Sequence, residues 1–258
     1  MHKDPSPRRA QRLAFLAGLA TLAVPAAAPA QSVPLEIELE VGAVWQSRND
    51  AEIPNDGTAT RFALDEVTGA GPWPAGRVYV TWHVAERHAV RLLWAPLSIT
   101  ERGSLPGPVD FAGASYAAGT PVEARYTFNS YRATYRWRFH TGDRSRAWLG
   151  FTAKIRDATV ALTQGSVASR KDDLGFVPLL HLAARRELGD AWDVSVDVDA
   201  LGGGPGRAID AALELGFDVD DRWSMRAGYR TVEGGADVDS VYNFAWLHYA
   251  ALAVVWRP

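Results

Sequence analysis

The sequence of 258 residues lacks two features, cysteine and a long apolar segment, that would allow disulfide cross-links or a membrane-spanning helix. It contains no cysteine, so disulfide bonds are excluded and stability must come from strand pairing and packing. Beyond residue 30 it has no run of about 18 consecutive apolar residues, the length that a membrane-spanning helix needs. Any crossing of a membrane must therefore use strands.

The first thirty residues have the organisation of a signal peptide. A basic region with Lys3 and three arginines precedes an apolar stretch over residues 13–24, and Ala28 and Ala30 are small residues suited to a cleavage site. Cleavage before Gln31 would leave residues 31–258 as the folded domain. That domain has 23 basic and 29 acidic residues, because the signal peptide contains four basic residues and one acidic residue. The resulting net charge of −6 argues against nucleic acid as a partner.

Strict alternation of apolar and polar side chains is the strongest structural signal in the chain. Residues 191–200 place tryptophan, three valines and alanine in turn with three aspartates and a serine. In a strand this pattern gives one apolar face and one polar face. Comparable patterns predict ten strands, over approximately residues 35–45, 78–84, 90–94, 122–140, 147–155, 176–188, 191–200, 209–217, 223–229 and 242–257.

Three details of this strand prediction are irregular. In the fourth strand the apolar parity changes from even to odd at Asn129 and Ser130, which predicts a β-bulge there. The sixth strand is almost continuously apolar, so its register stays open. Residues 60–64 could add a further strand, and barrels of eight or twelve strands remain alternatives.

The predicted connections alternate between short and long. Short polar turns lie at residues 86–88, 141–144, 189–190 and 220–222. Longer segments cover residues 47–74, 100–120, 157–175, 202–206 and 233–240. This alternation is typical of an even-stranded barrel with short periplasmic turns and longer external loops.

The placement of tryptophan favours the same architecture. Eight of the ten tryptophans fall on the apolar parity near strand ends: Trp45, Trp82, Trp94, Trp137, Trp192, Trp223, Trp246 and Trp256. Rings of aromatic residues at both rims are typical of barrels that span a membrane. We therefore predict that these eight residues lie at the two membrane interfaces.

On these patterns the chain resembles the small bacterial outer-membrane β-barrel proteins of the OmpA-like superfamily, over essentially residues 35–256. The resemblance rests on architecture and not on a diagnostic motif. It implies an all-β, antiparallel up-and-down transmembrane barrel of about ten strands in the outer membrane of a Gram-negative bacterium. It also implies contact with outer-membrane lipid and lipopolysaccharide, and with the barrel-assembly machinery and periplasmic chaperones during biogenesis. Such proteins usually end in an aromatic residue, whereas here Trp256 is followed by Arg257 and Pro258.

If the apolar parity faces lipid, the opposite parity faces the lumen and carries many charges. The predicted lumen charges are Glu36, Glu38, Glu40, Arg132, Arg136, Arg138, Lys154, Asp193, Asp197, Asp210, Glu214, Arg226 and Arg230. Acidic and basic strands tend to alternate, and unpaired charges in a narrow lumen are costly, so we expect salt bridges. Side chains largely fill the interior of a barrel of this size. The lumen is then a salt-bridged plug or, alternatively, a narrow polar pore or small-ligand site.

The sequence predicts no catalytic residues and no metal or cofactor site. His248 shares the apolar parity and would face lipid, but no serine follows at the His-x-Ser spacing. A structural ion network is expected at the external rim, formed by Asp199, Asp210, Arg230 and Asn243. The preferred interpretation is a non-enzymatic barrel of structural, surface-presenting or narrow-channel (porin-like) type. The alternatives are an outer-membrane hydrolase acting on lipid or peptide, and a soluble barrel that binds an apolar ligand.

Overall fold

The computed structural model describes residues 34–258, so the predicted signal peptide, residues 1–30, lies outside the described residues. Within this range the chain is built from β-strands and one five-residue helix, α1 (Leu64–Thr68). Among residues 34–258 no helix is long and apolar enough to cross a bilayer. The strands are β1 (Leu35–Glu52), β2 (Phe62–Ala63), β3 (Trp73–Ala85), β4 (His88–Ala95), β5 (Ser98–Ser104), β6 (Val109–Phe111), β7 (Ala114–Tyr116), β8 (Pro121–Thr141), β9 (Ser145–Gln164), β10 (Val167–Glu187), β11 (Trp192–Gly203), β12 (Gly206–Asp218), β13 (Trp223–Val238) and β14 (Val241–Trp256).

Ten of these strands form a closed antiparallel barrel. Around the wall the order is β1, β3, β4 and then β8 to β14, and β14 pairs again with β1. β5 continues along β8 where β4 ends, while β6 and β7 form a small separate hairpin. The predicted all-β, up-and-down barrel of about ten strands is confirmed. Residues 60–64 contribute only the short β2, which pairs with β1 and adds no wall strand.

The two ends of the barrel differ in how the strands are joined. At one end, here called the inner end, the connections are short, at residues 86–87, 142–144, 188–191 and 219–222. At the opposite end, here called the outer end, residues 53–72 join β1 to β3, and residues 96–120 join β4 to β8. The long loops predicted around residues 157–175, 202–206 and 233–240 are wrong, because there the strands continue as hairpins with two-residue turns.

The polarity of the two faces of the wall reverses toward the outer end. In the middle of β9, Phe151 is exposed on the outer surface and Thr152 is buried inside. Farther along the same strand, toward the outer end, the inward face becomes apolar, as at Leu162. The same reversal in β8 explains the parity change at Asn129 and Ser130. The bulge predicted there is wrong, since pairing with β9 runs through both residues without a shift of register.

The two long connections fold over the outer end as an ordered cap, defined here as residues 53–72 and 96–120. Backbone hydrogen bonds tie the two segments together, with Ala112 N donating to Ile53 O (2.8 Å) and Thr60 N to Asp110 O (2.9 Å). The cap and the outer parts of the wall enclose an apolar core whose largest fully buried side chains include Leu64, Ile99, Leu105, Phe111, Tyr116, Tyr126 and Leu162. The main hydrophobic core therefore lies in the outer half of the barrel.

Candidate functional site

The thirteen predicted lumen charges lie on the inward-facing parity of the wall strands. Apart from Lys154 they belong to two layers. The middle layer contains Glu40, Arg132, Asp210 and Arg230. The layer nearer the inner end contains Glu36, Glu38, Arg136, Arg138, Asp193, Asp197, Glu214 and Arg226.

Asp210 of β12 is the centre of the middle layer. Its carboxylate accepts hydrogen bonds from Arg132 at 2.6 Å, Arg230 at 2.8 Å and Arg77 at 3.3 Å. Glu40 of β1 lies 3.1 Å from Arg230 and 3.6 Å from Arg77. These side chains are at most 7% exposed. The contacts join five strands across the lumen.

Asp199 of β11 extends the middle layer to the opposite wall. Arg132 donates to one carboxylate oxygen at 2.9 Å, while His181 Nδ1 and Thr152 Oγ1 each lie 2.8 Å from the other. Three arginines thus face three carboxylates, so the layer is neutral when His181 is uncharged. A buried ion network avoids a large desolvation cost only when its members are paired and hydrogen-bonded in this way.

A cavity of about 790 Å³, here called the vestibule, lies between the middle layer and the inner end. Arg91 is 2.8 Å from Asp197, and Arg226 is 3.4 Å from Glu214 and 3.7 Å from Glu38. These side chains are 10–19% exposed, so they are better solvated than the middle layer. Four more pairs line this end: Arg185 with Asp193 (2.8 Å), Arg257 with Glu36 (3.0 Å), Arg138 with Glu86 (3.8 Å) and Arg136 with Asp197 (4.0 Å).

Lys154 of β9 differs from the other predicted charges. The residue is only 3% exposed, yet within residues 34–258 it forms neither a salt bridge nor a hydrogen bond. Its ammonium group lies 4.7 Å from the centre of the Phe128 ring. Its partner in the β8–β9 register is Arg132, which carries the same charge.

The predicted charges leave out several members of the network: Arg77, Arg91 and His181, and also Arg185, Arg257 and Glu86 at the inner end. The polar parity of β3 could have identified Arg77. In contrast, β4 and β10 carry apolar residues on both faces, so alternation does not indicate which way Arg91 and His181 point. The expected rim position of Asp199, Asp210 and Arg230 is wrong, because β11, β12 and β13 continue outward past these residues.

Two clusters offer ligand atoms at distances that suit a metal ion: His181 with Asp197 and Asp199, and Glu38 with Glu40 and Glu214. The carboxylates of both clusters already lie within 4.0 Å of guanidinium groups, from Arg91, Arg132, Arg226 and Arg230. The positive charge that a cation would supply is therefore provided by the chain, and we assign no metal to either cluster.

The eight predicted interface tryptophans lie on the outer surface of the wall. Seven of them are 37–53% exposed, and Trp45 is half-buried against Tyr229 and His248. The other two have different surroundings, since Trp73 packs on the core beneath the cap and Trp148 lines the vestibule.

His248 lies on the outer surface, as its parity predicts, and it contacts a serine. Ser47 is the extra residue of a β-bulge between Gln46 and Arg48 of β1, which leaves its side chain exposed outside the barrel. Ser47 Oγ lies 2.8 Å from His248 Nε2, and Tyr229 Oη lies 2.6 Å from His248 Nδ1. Local His-x-Ser spacing cannot reveal this serine, because it comes from the strand at the opposite end of the sequence.

The sequence matches no protein-family model, and a search of curated proteins returns no significant match. Solved structures with similar folds are found. The outer membrane protease OmpT from Escherichia coli has 10% identity and a TM-score of 0.51, over 87% of this chain and 97% of that chain. Neisserial surface protein A (NspA) has 12% identity and a TM-score of 0.37 over 86% and 96%. Ail, the attachment invasion locus protein of Yersinia pestis, has 9% identity and a TM-score of 0.34 over 84% and 97%. At 10% identity the OmpT match shows the fold alone: the chain has the fold of the outer-membrane β-barrels.

Proposed function

We propose that the protein is an integral outer-membrane barrel that is closed to solutes and holds its capped end at the cell surface. The observation that carries this proposal is the double closure of the lumen. Ion pairs around Asp210 cross the middle of the barrel, and the apolar core beneath the cap occupies part of its outer half. A closed barrel with an ordered cap suits a structural or surface-presenting role better than conduction.

The outer surface supports a location in a bilayer. More than half of the surface of several apolar side chains is exposed there, at Leu39, Val41, Leu92, Phe176, Leu180, Leu213 and Leu252. In water so large an apolar surface would favour aggregation. The alternative of a soluble barrel needs these faces inside, which the observed exposure argues against.

The spacing of the outer tryptophans matches the thickness of a membrane. Trp256 is the last residue of β14 and Trp246 lies ten residues before it, in the outer part of the strand. Ten strand residues span roughly 33 Å along the strand, or about 25 Å across the barrel at a tilt of about 40°. The apolar band of outer-membrane barrels is also about 25 Å tall. Outer-membrane lipid and lipopolysaccharide are therefore the partners proposed for this surface, with the barrel-assembly machinery and periplasmic chaperones acting during biogenesis.

Cysteine labelling in intact cells tests the location and the orientation. Thr58 is exposed in the cap and Asp143 is exposed in an inner turn. The wild-type chain has no cysteine and serves as the blank. We expect a membrane-impermeant maleimide to label Thr58→Cys in intact cells and Asp143→Cys only after the outer membrane is permeabilised. Labelling in the reverse order, or recovery of the protein in the soluble fraction, contradicts the proposal.

A second function, hydrolysis of an ester-linked lipid, is favoured by the contact between Ser47 and His248. In this reaction Ser47 Oγ attacks the ester carbonyl and its proton passes to His248 Nε2, while Nδ1–H donates to Tyr229 Oη. His248 then returns the proton to the departing alcohol. Water, activated by the same histidine, cleaves the acyl-serine and releases the fatty acid. Trp45 and Trp246 flank the imidazole at 5.7 and 5.5 Å, where an acyl chain would lie.

Release of fatty acid from phospholipid and lipopolysaccharide by the refolded protein tests this second function. We expect Ser47→Ala and His248→Asn each to lower the rate by about 10²-fold or more, since nucleophile and base act together. The wall offers a matched control in a second histidine–tyrosine pair, His88 Nδ1 with Tyr135 Oη at 2.7 Å. His88→Asn should leave the rate unchanged. No release by the wild type, or equal release by Ser47→Ala, excludes the hydrolase.

A further inference from the structure

The wall of the barrel opens between β10 and β11. Their pairing runs from the inner end as far as Leu180 and Ala200 and stops there. β10 nevertheless continues outward to Val167, and β11 to Gly203, each still paired on its other edge. The unpaired edges outward of Leu180 and Ala200 form a lateral opening, here called the cleft.

The residues at the cleft explain why pairing stops. In the same register, Pro178 of β10 would face Gly202 of β11, and Val177 would face Gly203. Proline cannot donate to a sheet ladder and is confined to strand edges, and glycine weakens a strand because it has no side chain to pack. The sequence therefore disfavours closure of the wall at this position.

A cavity of about 410 Å³ lies behind the cleft, inside the barrel and beside the middle layer. This volume is within the range of small-molecule sites. Most of the lining is apolar, from Phe128, Val177, Pro178, Leu201, Ala208 and Val232. Phe176 of β10, which is 62% exposed, and Leu201 of β11 lie on the two sides of the cleft. An apolar path thus connects the cavity with the outer surface of the wall.

Lys154 lines this cavity and has no ionic partner among residues 34–258. A buried ammonium group without an anion is costly, and its contact with the Phe128 ring offsets only part of that cost. Arg156 and Arg207 also line the cavity, but they are paired with Asp173 and Glu233. The cavity therefore combines an apolar lining with a cation that an incoming anion could neutralise.

We propose that the cavity binds one anionic amphiphile, with its carboxylate or phosphate group on Lys154 and its hydrocarbon chain along Leu201 and Val177 toward the cleft. The proposal rests on the proposed membrane location, because the cleft opens beside exposed apolar residues such as Phe176. A hydrocarbon chain can reach the cavity from the outer leaflet without leaving an apolar environment.

Retention of palmitate, measured by native mass spectrometry of the barrel released from palmitate-containing nanodiscs, tests the site. We expect one palmitate per barrel and a loss of affinity of about 10-fold or more in Lys154→Met, as removal of a charged hydrogen bond implies. Lys171→Met is the matched control, because Lys171 lies farther out on β10 and does not line the cavity. Hexadecanol, which has the same chain without the charge, should bind more weakly than palmitate.

Two results overturn the proposal: no palmitate bound to the wild type, or equal retention of palmitate and hexadecanol that Lys154→Met does not change. Heat-modifiable gel mobility shows whether Lys154→Met is folded. Labelling of Thr58→Cys reports the location separately. A correctly located barrel that binds no palmitate therefore overturns the ligand site and leaves the proposed function intact.

A cross-link over the cleft distinguishes the two sources of the ligand. The double variant Val177→Cys and Gly203→Cys can be closed by oxidation or, across a wider gap, by a short bismaleimide. We expect the closed form to exclude palmitate supplied in the bilayer. Unchanged uptake of palmitate by the closed form overturns lateral entry. Lateral entry is also overturned if palmitate does not bind but octanoate, supplied in the aqueous phase, binds in a way that depends on Lys154.

Discussion

The two halves of the barrel lumen are lined in opposite ways. From the middle layer to the inner end the lining consists of ion pairs, from the contacts of Asp210 to the contact of Arg226 with Glu38 beside the vestibule. The outer half contains an apolar core with fully buried Tyr126 and Leu162. The same wall strands run through both halves, so side chains alone make the difference.

The polarity of the outward face of the wall decides which side chains can lie on its inward face. Where the outward face is apolar, as at Phe151, the inward face carries most of the charges. Farther out the outward face is polar, as at exposed Asp172, and the hydrophobic core moves inside. One set of strands thus combines an inside-out barrel with a fold typical of water-soluble β-proteins. Three substitutions test this contrast, from the largest expected effect to the smallest.

Removal of the central carboxylate should have the largest effect. Asp210→Ala leaves Arg77, Arg132 and Arg230 without their shared partner in a buried layer. Breaking a buried ion network by removing one member typically costs about 3–5 kcal/mol. We expect a loss of this size in the free energy of unfolding, measured by urea unfolding of the refolded barrel. As the control, Asp172→Ala on the exposed hairpin should change stability by less than about 0.5 kcal/mol. Equal stability of the two variants would contradict the account.

A cavity in the outer half should have a smaller and more local effect. Leu162→Ala removes a fully buried side chain from the core beneath the cap. We expect a cost of about 2–3 kcal/mol, at the low end for such substitutions, because the β9–β10 hairpin can partly close over the space. Hydrogen exchange should increase in the cap and in this hairpin but not at the inner end. The matched control is Leu188→Ala, in an exposed inner turn. Faster exchange throughout the barrel would show that the two halves are not separate.

Removal of a vestibule charge should have the smallest effect. Arg226→Met breaks contacts of 3.4 and 3.7 Å between side chains that are 10–15% exposed. Ion pairs that border water contribute less than fully buried ones, in exposed cases up to about 1 kcal/mol, and salt screens them. We therefore expect a loss of about 1 kcal/mol that shrinks in molar salt, whereas the loss in Asp210→Ala should persist. A salt-insensitive loss as large as that of Asp210→Ala would remove the distinction between the two layers.

Alternation in the sequence was enough to predict the ten wall strands and the inward direction of the predicted charges. Both follow from one physical rule, since a strand whose outward face is apolar must place its polar residues on the inward face. The rule fails toward the outer end, where the outward face is no longer apolar. At Asn129 and Ser130 the inward face changes from apolar to polar along β8, so the alternation predicts a change of register where only the surroundings of the strand change.

The candidate sites depend on contacts that alternation cannot reveal. Ser47 meets His248 only because the first and last strands close the barrel and a bulge turns the serine outward. The isolation of Lys154 follows from which arginines and carboxylates meet across the lumen. The cleft depends on where two strands separate, and only Pro178 and the glycines after Leu201 hint at it in the sequence.

Single-channel recording of the refolded protein in planar bilayers tests closure of the lumen most directly. A barrel closed by ion pairs around Asp210 and by the core beneath the cap should insert and remain silent under applied voltage. Discrete openings that disappear when Arg136 or Glu38 is neutralised would contradict the account, because they would show that ions cross the lumen past these charges.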